Sequence, residues 1–372
     1  MNPARLLRDD LRRMEPYTPI VPFEVLSARL GRPAEQIVKL DANENPYGPP
    51  PGALAALAAG RAYHIYPDPE TNALRDALSQ YTGQPKERLL AGMGADELID
   101  LVLRALLEPG DAVIDCPPTF GMYPFSTAVN AGRTVSVARR ADFSLDVAAI
   151  EAAVAAAPRA KVLFVCSPNN PDGSVVDDAT LRRLLALPLL VVLDEAYVDF
   201  AGIPSRIDWV TAHDNLAVLR TFSKLAGLAG LRVGYGAFPA WLLPHLWKIK
   251  QPYNVNVAAS LAAVAALEDE AWLRETVGRL VAERERLARE VAALGWLRPL
   301  PSRANFVLCR VVGRPAGDVK RALEGEGVLV RYFDKPGLRD CIRISAGWPE
   351  DTDRLLAALK KVEPQITQIE EE

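Results

Sequence analysis

The chain is poor in the side chains that bind metals or form disulfides. Its three histidines, His64, His213 and His245, stand far apart in sequence, so no metal-ligand spacing is visible. Its four cysteines, Cys116, Cys166, Cys309 and Cys341, form no C-x-x-C pair and no zinc pattern. Cys166 and Cys309 sit in the apolar runs VLFVC and NFVLC, where a reduced thiol behaves as a small buried hydrophobe. No stretch approaches the ~18–20 uninterrupted apolar residues of a membrane helix. Neither charge sign is in large excess. Forty-three Lys and Arg against 47 Asp and Glu leave a formal net charge of −4, without the basic footprint of a nucleic-acid binder. The opening MNPARLLRDDLRRMEPY is charged throughout and lacks the apolar segment of a secretory signal, so a cytoplasmic protein is expected. Internal repeats are absent, and the acidic IEEE near the end is the one biased tract.

What is present is an ordinary globular composition, 49% hydrophobic and 24% charged over 372 residues, long enough for two domains. After a proline-punctuated start and the loop DANENPYGPPPG, short apolar runs follow one another: DAVIDCPP, KVLFVCSPNNP, PLLVVLDEAY, LAVLRTFSK and RVGYGAF. Each has the length and β-branched content of a buried strand. Amphipathic helices such as TNALRDALSQYTG and ADELIDLVLRALLEPG lie among them. The alternation predicts an α/β fold with a mostly parallel sheet. From about residue 255 the pattern turns to a long, almost continuous helix, AASLAAVAALEDEAWLRETVGRLVAERERLAREVAALG, and then a smaller α+β segment. The expected division is a large domain over 46–265, with 1–45 and 266–372 forming the small domain and an N-terminal arm.

Four polar segments follow apolar runs or open helices, and open α/β sheets bind ligands beyond the carboxyl ends of their strands. In GMGADELI, Gly94, Ala95 and Asp96 lead into an apolar helix. A helix start of this kind offers free N–H groups and a positive dipole end to a phosphate, although the same residues also suit a plain capped helix. CSPNNPDG (166–173) reads as a tight turn that can also present an amide side chain, held by the following proline. In VVLDEAYVDF, Asp194 ends a buried run, where a carboxylate is costly unless it is paired. It is either a helix cap or the holder of a proton on a ligand's ring nitrogen, with Tyr197 within reach. In TFSKLAGLAGLR, Lys224 stands among small residues that solvate it poorly, which lowers an amine's pKa. Thr221, Ser223 and Arg232 surround it in sequence and suit a phosphate.

Taken together these segments supply a nucleophilic amine, a phosphate cradle, a carboxylate for a pyridinium nitrogen, and donors for a phenolic oxygen. Pyridoxal 5′-phosphate requires that set. The motifs LDANENPYGPP, YPDP, GMGADELI, DCPPTFGMYP, CSPNNPDG, VVLDEAYVDF, RTFSKLAGLAGLRVGY, QPYNVN, SRANFVL and IRISAG run over nearly the whole chain. On these residues the chain resembles the fold-type I pyridoxal-phosphate aminotransferases and, within them, the histidinol-phosphate aminotransferases.

The resemblance implies a role for each residue. Lys224 would form the Schiff base with the cofactor and shuttle a proton, and Asp194 would pair with the pyridine nitrogen. Asn170 and Tyr197 would bind the phenolic oxygen, and Phe120 would stack on the ring. The backbone amides of Ala95 and Asp96, with Thr221, Ser223 and Arg232, would hold the phosphate. Tyr66 of YPDP would reach the phosphate of a partner subunit, which implies a homodimer. On the substrate side, Arg331 and Arg343 would face a phosphate and Tyr17 an imidazole, with Asn305 and Asn254 as weaker lining candidates. Two positions depart from the family pattern: Phe120 stands where tyrosine is usual, and Asp172 makes NNPDG of the usual NNPTG. Asp172 is expected to cap the next helix.

The implied reaction is ping-pong transamination. Histidinol phosphate and 2-oxoglutarate would interconvert with imidazole acetol phosphate and glutamate, a step of histidine biosynthesis, with no nucleic-acid, membrane or metal partner. An aromatic amino acid aminotransferase, a threonine-phosphate decarboxylase and a regulator built on an aminotransferase domain share much of this pattern.

Overall fold

The structure is a computed structural model that describes residues 3–12, 14, 16 and 23–363. It contains two sheets. The larger is built from β2 (Leu89–Gly92), β3 (Ala112–Asp115), β4 (Arg133–Ser136), β5 (Ala160–Cys166), β6 (Leu190–Asp194), β7 (Leu216–Thr221) and β8 (Gly234–Ala237). Its spatial order is β2-β8-β7-β6-β5-β3-β4. All pairs are parallel except the two made by β8.

Period-two alternation explains why the central runs are apolar throughout. Leu163, Val165, Val191 and Leu193 face one helical layer, while Val162, Phe164, Leu190 and Val192 face the other. The helix Gly94–Leu106 buries Leu98, Ile99, Leu101, Val102 and Leu103 on the second face. Truncating one of these leucines to alanine costs ~2–5 kcal/mol in typical cores.

The smaller sheet joins β1 (Val38–Leu40), β9 (Leu297–Pro299), β10 (Phe306–Val311), β11 (Val328–Tyr332) and β12 (Cys341–Ser345) in the order β1-β11-β12-β10-β9. β1 comes from the start of the chain and pairs parallel with β11; the other pairs are antiparallel.

Some local expectations change. The long helical stretch breaks at Asp269 into Val257–Glu268 and Glu270–Ala293, and the Asp269 carboxylate caps the second helix by accepting from Trp272 N–H at 3.2 Å. Thr71 precedes the helix Asn72–Thr82 without a side-chain cap, and Asp68 Oδ2 accepts from Asn72 N–H at 2.7 Å. Asp172 does not cap the next helix. It accepts from Ser174 N–H at 2.8 Å and from the Asn169 amide, bracing its own turn, while Asp177 caps Asp178–Leu185. All four cysteines are buried free thiols. Among the described residues no helix is long and apolar enough to cross a membrane.

Candidate active site

Strand register gathers the polar strand ends. Cys166 at the end of β5 lies opposite Asp194 at the end of β6, and Asp194 lies opposite Leu219 in β7. Thr221, ending β7, pairs with Gly234, and Gly234 pairs with Gly92, two residues before the glycine turn at Gly94. Parts of the chain far apart in sequence thus converge beyond the carboxyl ends of the central strands.

Asp194 shares the strand parity of Leu190 and Val192, so it turns toward the layer that holds Tyr123. It is 3% exposed. Tyr123 Oη donates to its Oδ2 at 2.7 Å and Ala196 N–H to its Oδ1 at 3.0 Å. Burial pushes its carboxyl up to about 6, against the lowering pull of these two hydrogen bonds. Tyr123 is locked in place by stacking on Phe164 (centroids 4.5 Å apart, planes within 2°) and by the edge contact with Phe120 at 5.6 Å. The fully buried Tyr123 was not singled out from sequence, because a tyrosine inside an apolar helix pattern reads as core.

Lys224 lies in the single-turn helix Phe222–Leu225 directly after β7. The residue keeps some solvent contact, yet its amine is enclosed. Burial first, and then the guanidinium groups of Arg343 and Arg232, pull it down to about 8, opposed by Glu44 and Asp96. Its Nζ donates to Ala42 O at 3.2 Å.

The segment expected to hold a phosphate combines a helix start with the side chains of Thr221 and Arg232. The helix Gly94–Leu106 has no side-chain cap at its start, and the first N–H groups of a helix have no intrahelical acceptor. Gly94 has φ +77°, and a Cβ there would sit 2.7 Å from Arg232 Nη2. The positive φ is what favours glycine here, and the absence of a Cβ lets the flexible guanidinium lie against the turn. Arg232 Nη2 also donates to Asp96 Oδ2 at 2.9 Å. Thr221 Oγ1 accepts from Ser223 N–H at 3.1 Å, which leaves the threonine hydroxyl proton to donate.

The small sheet closes the site from the other side. Arg343, 5% exposed, donates through Nη1 to Asn170 Oδ1 at 2.6 Å and through Nη2 to Asp41 O at 2.7 Å. Arg331 on β11 lies directly opposite Arg343 on β12. Phe333 lies against both guanidinium groups, at 5.4 and 5.5 Å. Tyr197 is buried edge-on to Phe306, and its hydroxyl accepts from Asn43 Nδ2 at 3.1 Å. Burial pushes the Tyr197 phenol well up from its ordinary value.

Asn43, at φ +54°, was missed within its loop motif. Its backbone carbonyl accepts from Asn305 Nδ2 at 3.0 Å, and its Oδ1 accepts from Ser345 Oγ at 3.0 Å. Asn305 therefore supports Asn43, and its Oδ1 is a buried acceptor with no protein donor among the described residues.

Tyr66 is on the surface, 78% exposed and stacked on Tyr253 at 4.6 Å. Asn254 braces the glycine turn, donating to Glu97 Oε2 at 2.7 Å. Tyr17 lies outside the described residues.

The sequence profile of aminotransferase class I and II matches residues 35–359. The histidinol-phosphate aminotransferase of Roseiflexus castenholzii is 55% identical over 365 residues, covering 96% of this chain and 98% of that protein. The chloroplastic histidinol-phosphate aminotransferase of Nicotiana plumbaginifolia is 54% identical over 355 residues, 95% of this chain and 86% of that one. Among solved structures, histidinol-phosphate aminotransferase from Sinorhizobium meliloti in complex with pyridoxal-5′-phosphate superposes with a TM-score of 0.87 at 31% identity, covering 96% of this chain and 97% of that one.

Proposed function

The chain belongs to the class I and II aminotransferases and, within them, to the histidinol-phosphate aminotransferases; from that premise we propose the reaction and the residues that carry it. The protein transfers an amine between histidinol phosphate and 2-oxoglutarate, interconverting that pair with imidazole acetol phosphate and glutamate, with pyridoxal 5′-phosphate as cofactor. The observation that carries this reading is the convergence, beyond the carboxyl ends of the central strands, of the enclosed Lys224 amine, the buried Asp194 carboxylate and the uncapped turn against Arg232.

The residues present fit the cofactor. The turn that Gly94 packs on Arg232 suits a phosphate, the lowered amine suits an aldehyde, and the buried carboxylate suits a protonated ring nitrogen. When bound, pyridoxal phosphate supplies the electron sink for the charge left on the carbon that bears the substrate's amine. The N–H groups of Ala95 and Asp96, with Thr221, Ser223 and Arg232, hold its phosphate. Phe120 covers the ring, and Asn170 and Tyr197 face the phenolic oxygen. Asp194, whose ionised form a cation in contact would favour, keeps a proton on the ring nitrogen. Lys224, whose amine burial makes more nucleophilic, would hold the group and would hold or move a proton at Nζ.

Arg331 and Arg343 grip the substrate phosphate. Like charges directly opposite destabilise a sheet, and an anion between them relieves the repulsion. The exposed Tyr66 is lent to a second copy, so the working unit is a homodimer, cytoplasmic and without a nucleic-acid or membrane partner. The large domain spans 46–265, which contains all seven strands of the larger sheet, and 1–45 with 266–372 forms the small domain and arm.

The test is single-turnover spectroscopy on the cofactor-loaded protein, following loss of the Lys224-linked absorbance. Histidinol phosphate, phenylalanine and O-phosphothreonine are added separately. Fast conversion to the amine form of the cofactor with histidinol phosphate alone is expected. Equal or faster conversion with phenylalanine replaces the reading with a broad aromatic aminotransferase. Release of CO₂ from O-phosphothreonine, with no stable amine form, replaces it with a decarboxylase.

A further inference from the structure

Lys250 follows the helix Leu243–Ile249 and is only 8% exposed. Its ammonium donates to four neutral acceptors: Pro69 O at 3.0 Å, Gln251 O at 2.9 Å, Pro252 O at 3.4 Å and Asn254 Oδ1 at 2.9 Å. Its Nζ also lies 5.2 Å from the centre of the Trp247 ring. Burial lowers the pKa of this amine and the nearby carboxylates of Glu97 and Asp68 raise it, so the ammonium is held by neutral acceptors in contact and by two carboxylates at longer range. Its acceptors belong to two functional segments.

Pro69 O belongs to YPDP, the segment of Tyr66. Gln251, Pro252 and Asn254 belong to QPYN, the segment of Tyr253, on which Tyr66 stacks at 4.6 Å. Asn254 then passes the connection on. Its Nδ2 donates to Glu97 Oε2 at 2.7 Å and to Ala91 O at 3.3 Å, and the same Glu97 oxygen accepts from Met93 N–H at 2.6 Å. Met93 immediately precedes Gly94 and the uncapped helix start.

We propose that Lys250 is a positioning residue that ties two phosphate contacts together: the anion-binding turn of its own subunit, through Asn254 and Glu97, and the Tyr66 that this subunit lends to its partner, through Pro69 and the Tyr66–Tyr253 stack. The inference rests on the reading that a cofactor phosphate occupies the Gly94 turn. One lysine then sets both the site a subunit owns and the site it completes. Loss of its charge loosens the hold on the phosphate without touching the capture of the aldehyde by Lys224.

Pyridoxal has the aldehyde and ring of pyridoxal phosphate but no phosphate, and this separates the two effects. Cofactor-free protein is titrated with each compound by absorbance, for the parent chain, Lys250→Met and Asn254→Leu, and thermal midpoints are measured without cofactor. In both variants pyridoxal phosphate is expected to bind about tenfold more weakly, the loss typical of one charge-assisted hydrogen bond. Pyridoxal affinity is expected to hold, and the cofactor-free midpoints serve to show that both variants remain folded at the temperature of the titration. Equal weakening of both compounds, or unchanged affinity for pyridoxal phosphate, overturns the proposal. Tyr66→Phe is the control for the shared site. If it binds pyridoxal phosphate as tightly as the parent, the link to the partner falls and the hold on the subunit's own turn stands. If the parent chain itself binds no pyridoxal phosphate, the functional reading fails before Lys250 is tested.

Discussion

Tyr123 and Asp194, 71 residues apart, are joined by a 2.7 Å hydrogen bond from phenol to carboxylate Oδ2 beneath the proposed cofactor site. The phenol has no charge to give, so it steadies the buried carboxylate without neutralising it. A carboxylate left in apolar surroundings takes up a proton, and a protonated Asp194 no longer holds the ring nitrogen's proton.

Tyr123→Phe keeps the stacking on Phe164 and removes one hydrogen bond to a carboxylate, worth ~1.5–3 kcal/mol. The carboxyl of Asp194 then rises further above its present value of about 6. The expected result is roughly a tenfold or greater fall in kcat at pH 7, partly recovered at higher pH as the acidic limb of the profile moves upward. A kcat–pH profile of the variant checks it, and an unmoved acidic limb refutes it.

The lowered pKa of Lys224 sets when it becomes a nucleophile. In cofactor-free protein the rate of pyridoxal phosphate capture should rise with pH around a midpoint near 8, not near the ordinary lysine value. Stopped-flow absorbance from pH 6 to 10 measures this. Lys224→Ala should abolish turnover while circular dichroism and thermal midpoint show a folded protein.

Asp194 also carries a stability signature. Below pH 4 the folded and unfolded chains both hold its proton. Between about 4 and 6 the unfolded chain loses the proton and the folded one retains it, so this group lowers stability as pH rises. Two pKa units correspond to roughly 3 kcal/mol. Cofactor-free Asp194→Asn should lack that decline and gain stability relative to the parent between pH 4 and 7, as read by urea denaturation at several pH values. An identical pH dependence in the two proteins would rule this out.

Arg331 and Arg343 separate by their partners. Arg343 is fastened to Asn170 and Asp41, whereas Arg331 lies opposite it and against Phe333. Arg331→Leu should raise KM for histidinol phosphate at least tenfold, with a much smaller change for an amine donor that lacks a phosphate. Arg343→Leu should harm both donors, because it also releases Asn170 on the cofactor side. Steady-state kinetics with the two donors distinguishes these patterns.

Much of the candidate cofactor site is legible in the sequence because it is built from local signals. Lys224, Asp194, Thr221, Ser223 and the Gly94 turn each follow a strand or open a helix, and such positions announce themselves in the alternation of apolar runs with small and polar residues. The short strands β1, β2, β4 and β9 were not legible. They are as short as β3 and β8 but lie against charged or turn residues that blur the apolar run, and their pairing with other segments stabilises them. The break at Asp269 was hidden for the same reason: one carboxylate capping a helix looks like one more charge on a helical face.

The sequence by itself determined the class of fold, the order of the site residues along the chain, and the chemistry available to each. It could do so because strand period, helix capping and glycine turns are local properties. Tertiary structure alone decided which of those residues meet. Tyr123 reaches Asp194 through strand parity and the placement of the layer above it. Asn43 and Arg343 reach Tyr197 and Asn170 because the small sheet packs over the large one. Lys250 acquires its four acceptors from two loops that neighbour each other only after folding. These contacts span long stretches of chain, and their energy comes from burial and exclusion of water, which no window of sequence contains.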